Sequence, residues 1–182
     1  MEPVRIVLCS DNHGDRESIS FIRREYADFD YLIHCGDSEM MTEELDGFLC
    51  VQGNHDYSKH PDQQILTIGD HRIYICHGHM DFYRYFKYNP MIENAKKNHC
   101  DTVFFGHVHT YQDTVQQGIR LLNPGSLYHN RDATKPSYML VTIDDEGIHA
   151  ERRDYIKVKK EVKKKEPGWF AKWIKKLFEE DV

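Results

Sequence analysis

Short apolar runs, each closing on a cluster of small and polar residues, recur along the first two-thirds of the chain. Val4-Arg5-Ile6-Val7-Leu8-Cys9 is β-branched and mostly apolar, which predicts a strand buried on both faces, and it ends on Ser10-Asp11-Asn12-His13-Gly14. From Asp15 to Ala27 the residues Ile19, Phe21, Ile22 and Tyr26 recur at roughly helical spacing with charges between them, so a helix follows. Asp30 to Cys35 reads as a second strand closing on Gly36-Asp37-Ser38, and Met40 to Leu45 as a short, weakly patterned helix. Phe48 to Gln52 is the third strand, and it delivers Gly53-Asn54-His55-Asp56.

The second half begins with Ile65 to Ile68 and Arg72 to Cys76 around Gly69-Asp70-His71, a hairpin whose second strand runs into His77-Gly78-His79. Pro90 to His99 predicts a helix with Pro90 in its first turn and Met91, Ile92 and Ala95 on one face. Thr102 to Phe105 is a further strand, ending on Gly106-His107-Val108-His109. Beyond it Thr114-Val115, Gly118 to Leu122, Tyr138 to Ile143 and Ile148 to Tyr155 alternate in polarity. Turns fall at Asn123-Pro124-Gly125-Ser126 and Asp145-Glu146-Gly147, which predicts antiparallel sheet. The order of elements defines an α/β fold with polar clusters at the strand ends, where such folds present their chemistry.

At 182 residues the chain accommodates one domain, over 1–156, with a basic linker and amphipathic helix over 157–182. The net charge of −6 is unevenly spread: between Lys157 and Lys176 nine Lys face only Glu161 and Glu166, an excess of +7, which leaves −13 for the rest. An acidic body disfavours nucleic acid as a partner, because such binding neutralises phosphates with cations. In the tail, Trp169, Phe170, Trp173, Ile174, Leu177 and Phe178 share one helical face and the lysines the other. That stripe suits docking on the domain, on a second copy in a homo-oligomer or other partner, or on an anionic membrane surface through 169–178. Five Cys (9, 35, 50, 76 and 100) have no CxxC spacing, and Met1-Glu2-Pro3 leads into a strand rather than a signal peptide. Both point to the cytoplasm.

The polar clusters change the picture most. Asp11 and His13, then His107 and His109, lie two apart and can converge on one point from a looped backbone; Asp37, Asn54 and His77 add further oxygen and nitrogen donors. Seven such donors exceed one ordinary coordination sphere and suit two cations about 3.5–4 Å apart. Imidazole and carboxylate without thiolate favour Mn²⁺, Fe or Zn²⁺ over Ca²⁺. Singly, each cluster also reads as a turn, since Asp and Asn cap helices and Gly turns the chain. His34 reads as a core or sheet-face residue, and His60, His71, His99, His129 and His149 as surface residues. The aromatic group Phe82, Tyr83, Tyr85, Phe86 and Tyr88 suits core packing or stacking against a base.

In order and position, Asp11-x-His13, Gly36-Asp37, Gly53-Asn54-His55-Asp56, His77-Gly78-His79 and Gly106-His107-x-His109 resemble the motifs of the calcineurin-like metallophosphoesterases. With Asn123-Pro124-Gly125-Ser126 the likeness is to the small single-domain prokaryotic YfcE-type phosphodiesterases, over about residues 4–155. The resemblance implies a four-layer α/β/β/α sandwich with two mostly mixed sheets and a dinuclear site. Asp11, His13 and His109 would hold one metal and Asn54, His77 and His107 the other, with Asp37 bridging. Mn²⁺ would be the first choice, then Fe, Zn²⁺, Ni²⁺ or Co²⁺. The activity implied is hydrolysis of a small phosphodiester by a hydroxide bridging the metals, with catalytic His55 stabilising charge or protonating the leaving alkoxide and Asp56 helping to orient it. Asn12 and His79 would contact substrate phosphate or support the ligands. The small branch often carries Cys where this chain has His55, whereas the larger phosphatases keep His. The alternatives are a phosphomonoesterase or nucleotide phosphatase, and a non-catalytic interaction scaffold, which one branch of the fold has become.

Overall fold

The computed structural model describes residues 1–82 and 88–157. Its first half holds β1 (Val4–Cys9), α1 (Arg16–Glu25), β2 (Tyr31–His34), β3 (Phe48–Cys50), β4 (Gln63–Ile68) and β5 (His71–Cys76). Its second half holds α2 (His79–Phe82), α3 (Asn89–Lys97), β6 (Thr102–Phe104), β7 (Tyr111–Gln116), β8 (Ile119–Pro124), β9 (Ser137–Asp144) and β10 (Gly147–Asp154). The strands form two mixed five-stranded sheets, β10-β9-β1-β2-β3 and β4-β5-β6-β8-β7.

Three apolar cores separate four layers. Ile6, Leu8, Ile33, Met139 and Val141 of the first sheet meet Ile73, Ile75, Phe104 and Leu122 of the second in a core between the sheets. On the outer face of the first sheet, Val7 and Cys9 pack under Ile19 and Ile22 of α1. On the outer face of the second, Tyr74, Val103 and Leu121 pack under Met91, Ile92 and Ala95 of α3. Strand alternation explains the division, because successive residues of β1 face opposite sides. Each fully buried aliphatic or aromatic side chain contributes roughly 1.5–3 kcal/mol of transfer free energy, so the α/β/β/α sandwich is held at all three interfaces.

Register then positions the polar loops. Leu8 pairs with Ile33 and Ile33 with Leu49 in parallel strands, so the chain leaves β1, β2 and β3 along one edge. Ile75 pairs with Phe104 and Phe104 with Leu122, also in parallel, and the loops after β5, β6 and β8 likewise share an edge.

Several elements differ from the sequence expectation. The helix expected from Asp15 to Ala27 runs over Arg16–Glu25, with the Asp15 carboxylate as its cap, accepting the Glu17 N–H at 3.2 Å. The helix expected through Met40 to Leu45 is one 3-10 turn, Thr42–Leu45, too short to carry a periodic face. Asn123 and Pro124 end a strand instead of forming a turn, and β8 is antiparallel only to β7; its other neighbour, β6, is parallel. Alternation marks a strand but carries no sign of its direction. All five cysteines are free and buried, and burial pushes the Cys9 and Cys35 thiols well up and that of Cys50 to about 12. Among the described residues no helix is long and apolar enough to cross a membrane. The tail helix expected over 169–178 lies outside the described residues.

Candidate metal centre

Backbone hydrogen bonds between the strand-end loops build the centre. Asp11 N–H donates to Gly36 O at 3.0 Å, His13 N–H to Asp37 O at 3.2 Å and Gly106 N–H to His77 O at 3.0 Å. The Asn123-Pro124-Gly125-Ser126 stretch ties these loops together: Asn123 Nδ2 donates to Gly106 O at 2.7 Å and Ser126 Oγ to Asp11 O at 2.8 Å. Glycine is required where loops cross, since a Cβ on Gly53 would sit 2.2 Å from both Asp37 N and its Oδ1. Asp11, His13, Asp37, His107 and His109 all adopt positive φ, between 43° and 67°. Left-handed backbone at non-glycine residues is unfavourable and persists only where surrounding structure imposes it.

Two groups of donors result: Asp11, His13 and His109, and Asp37, His77 and His107, with the donor atoms of each group within 4.8 Å of one another. Second partners fix the tautomers of three of these histidines. His77 Nδ1–H donates to Cys35 O at 2.6 Å, His109 Nδ1–H to His129 O at 3.0 Å and His13 Nδ1–H to the Glu39 carboxylate at 2.7 Å. A carbonyl or carboxylate can only accept, so in the neutral rings all three Nε2 atoms carry lone pairs. These lone pairs face other acceptors. His13 Nε2 and His109 Nε2 are 3.2 Å apart, His109 Nε2 is 3.1 Å from Asp11 Oδ1, and His77 Nε2 is 3.3 Å from Asp37 Oδ2. Asp11 Oδ1 and His77 Nε2 are buried and accept or donate no well-formed hydrogen bond. Acceptor facing acceptor in a buried site is repulsive until a proton or a metal ion lies between them; the donor set fits metal ions, and the Nδ1 partners give the ligand orientation metal-binding histidines need.

The charges are strongly coupled: burial would lower the His77 imidazole, but the Asp37 and Asp11 carboxylates outweigh it and hold it above its ordinary value, so a proton competes with a metal ion for that nitrogen. Burial would raise the Asp37 carboxyl, but the His77 contact and the His55 N–H at 2.8 Å outweigh it and hold it well below the usual carboxylate range. Burial likewise works on Asp11, and the approach of His109 and the field of His77 bring its carboxyl below the ordinary value. Burial, reinforced by repulsion from His77, pushes His107 down to about 4, which favours the neutral, ligating form.

The remaining predicted residues are placed as follows. Asn54 and His55 are exposed on the turn after β3, and the His55 ring lies 5.6 Å from that of His13. His79 opens α2 with its ring 5.4 Å from His77, and its Nδ1 is buried without a hydrogen-bond partner among the described residues. Asn12 is fully buried: its Oδ1 accepts from His34 Nε2 at 2.9 Å and its amide nitrogen reaches Asp15 O and Met40 Sδ, so its side chain serves the core and not a substrate. His34 is buried as expected; its Nδ1 accepts the Gly36 N–H at 3.2 Å, and burial pushes it down to about 4. Asp56 does not orient His55. Its carboxylate accepts the backbone N–H groups of Asp37, Ser38, Glu39 and Gly53 and the Ser38 hydroxyl, locking the two turns together.

Glu39, which fixes the His13 tautomer, was not singled out from sequence; its one signal is a carboxylate two residues beyond Asp37. Of the expected surface histidines, His99, His129 and His149 are exposed, whereas His60 and His71 are half-buried. Tyr88 packs at 5.6 Å from Phe105 beneath the second sheet, and 83–87 lie outside the described residues.

Fold and donor set together define a metallophosphoesterase. The chain belongs to the calcineurin-like phosphoesterase superfamily, whose domain profile matches residues 4–146. It is 32% identical to the probable metallophosphoesterase YsnB of Bacillus subtilis over 148 residues, covering 79% of this chain and 87% of that protein. Among solved structures, a conserved protein of Streptococcus pneumoniae described as a predicted phosphoesterase superposes with a TM-score of 0.78 at 28% identity, over 85% of this chain and 91% of that one. Vacuolar Protein Sorting 29 of Cryptosporidium parvum shares the fold with a TM-score of 0.62 at 19% identity, over 85% and 99% of the two chains.

Proposed function

We propose that residues 1–156 form a phosphodiesterase working with two divalent cations, Mn²⁺ first and Fe, Zn²⁺, Ni²⁺ or Co²⁺ after it. The observation that carries this reading is the convergence of four histidines and two buried carboxylates into two groups, Asp11, His13 and His109, and Asp37, His77 and His107, the donor atoms of each lying within 4.8 Å of one another. Bound there, the cations supply Lewis acidity toward phosphoryl oxygens and lower the pKa of water. Asp11, His13 and His109 would hold one, and Asn54, His77 and His107 the other, with Asp37 available to both. Cys35 O, His129 O and Glu39 keep the ligand rings in register. His55, exposed at the rim beside His13, protonates the departing alkoxide. His79, its ring 5.4 Å from that of His77, contacts a phosphoryl oxygen in this reading. Five buried free thiols support a reducing compartment such as the cytoplasm.

The likeness to Vacuolar Protein Sorting 29 motivates a second reading, a scaffold without turnover. Against it stand the six converging donors and the presence of His55. The deciding experiment is hydrolysis of diesters, monoesters and nucleotides by chelator-treated protein with and without added Mn²⁺. The enzyme reading expects Mn²⁺ to restore diester cleavage at least about a hundredfold above the chelated sample. Monoester turnover alone would make the protein a phosphatase, and no metal-dependent turnover of any ester would leave the scaffold.

His55→Ala separates the acid role from mere proximity. It is expected to lower turnover of alkyl diesters about a hundredfold and of p-nitrophenyl esters only a few-fold, because a good leaving group needs no proton. Equal losses on the two substrate sets remove His55 from that role.

A further inference from the structure

Two exposed tyrosines stand at one corner of the metal centre. Tyr128 is 61% exposed, and its ring meets that of His13 edge-on at 5.9 Å, with an interplanar angle of 68°. Its backbone is pinned to the centre, the N–H donating to Asp11 O at 3.3 Å and to Ser126 Oγ at 3.0 Å, yet its hydroxyl has no hydrogen-bond partner among the described residues. Tyr57 is also 61% exposed, and its hydroxyl donates to Glu39 O at 2.7 Å, the backbone of the residue whose carboxylate holds His13. The His55 ring lies against the same His13 imidazole. His13 thus has the Tyr128 and His55 rings against it, while Tyr57, as open to solvent as Tyr128, is tethered to the backbone of Glu39, the carboxylate partner of His13.

Packing does not account for this. At that exposure neither tyrosine belongs to any of the three cores, and an exposed aromatic ring adds little to folding. A fixed ring with an open face is, however, a stacking platform that costs little conformational entropy when a flat group settles on it. The Tyr128 ring stands one side chain away from His13, a proposed metal ligand, the right scale for the substituent of an ester bound at that metal. The acidic body argues against long polyanions, so the flat group belongs to a small molecule.

We propose that Tyr128, with Tyr57 tethered on the Glu39 loop, forms a specificity rim that binds the planar aromatic substituent of a small phosphodiester, an aryl group or a nucleobase. The proposal rests on the phosphodiesterase reading above. It does not involve the 83–87 segment.

The test uses two diesters with the same leaving group, thymidine 5′-p-nitrophenyl phosphate and methyl p-nitrophenyl phosphate, on the full-length Mn²⁺-loaded protein. The readout is the ratio of kcat/KM for the first to that for the second. The intact protein is expected to favour the thymidine ester. Tyr128→Ala is expected to reduce that ratio about tenfold, the scale of losing one base-aromatic stack, mainly through KM. Tyr128→Phe is expected to keep the ratio, because the ring and not the hydroxyl carries the contact, and Tyr57→Ala to give a smaller loss. A ratio unchanged in Tyr128→Ala, or an intact protein without preference, overturns the rim while leaving the phosphodiesterase reading standing. Failure to cleave either diester overturns the phosphodiesterase reading, and the rim with it.

Discussion

Asp37→Ala is expected to lose about a thousandfold in diester turnover at saturating Mn²⁺, the consequence of removing several kcal/mol of transition-state stabilisation with one ligand. The carboxylate has two tasks. Its Oδ2 faces His77 Nε2, and its Oδ1 accepts the His55 N–H at 2.8 Å, anchoring the turn that carries the proposed acid. Asp37→Asn tells these apart, since its amide oxygen can still receive the His55 N–H while the charge is gone. It is expected to keep the stability of the intact protein and to share the loss of metal affinity, read by calorimetric titration with Mn²⁺. Activity of Asp37→Ala within tenfold of the intact protein would show that the residue is not a shared ligand.

The largest effect on stability is expected at a residue that binds nothing. Asp56 accepts five hydrogen bonds at 2.7–2.9 Å, four of them from backbone N–H groups on two different turns. Hydrogen bonds to a charged acceptor contribute about 1.5–3 kcal/mol each, and in a half-buried site some of the freed donors recover water. Asp56→Ala is therefore expected to cost about 3–4 kcal/mol in urea unfolding, and Asp56→Asn about half of that, because one oxygen remains. A loss below about 1 kcal/mol would mean that water replaces the carboxylate at both turns. The same substitution releases Gly53 from Asp37, so metal affinity should fall alongside stability.

Much of this centre is legible in the chain because strand ends carry their own punctuation. An apolar run followed by Gly-Asp, Gly-Asn-His or Gly-His-x-His announces both the strand and the loop, and Asp11, His13, Asp37, His77, His107 and His109 do meet in space. What the chain conceals are relations between loops. Nothing local marks Asp56 as a clamp on Glu39, Glu39 as the partner of His13, or Asn12 as the partner of His34, since those pairs are 17 to 26 residues apart and depend on sheet register. Asn12 is instructive: its neighbours on either side are donors at the centre and adopt left-handed backbone, while its own side chain turns inward to the buried His34 imidazole. The direction of β8 is hidden for a similar reason, as a strand of given polarity pairs equally well either way along its edge.

The left-handed backbone at five donors bears on the order in which the molecule assembles. Asp11 joins the His107 N–H across 96 residues of chain, and Ser126 reaches Asp11 across 115. Local segments have no reason to hold His107 or His109 at positive φ by themselves; the contacts that impose it form only when the two sheets come together. Such long-range closures are entropically late events. The metal centre should therefore be among the last parts of the protein to form, and uptake of Mn²⁺ during refolding should lag the recovery of backbone circular dichroism, making the ion a timer for the closing step.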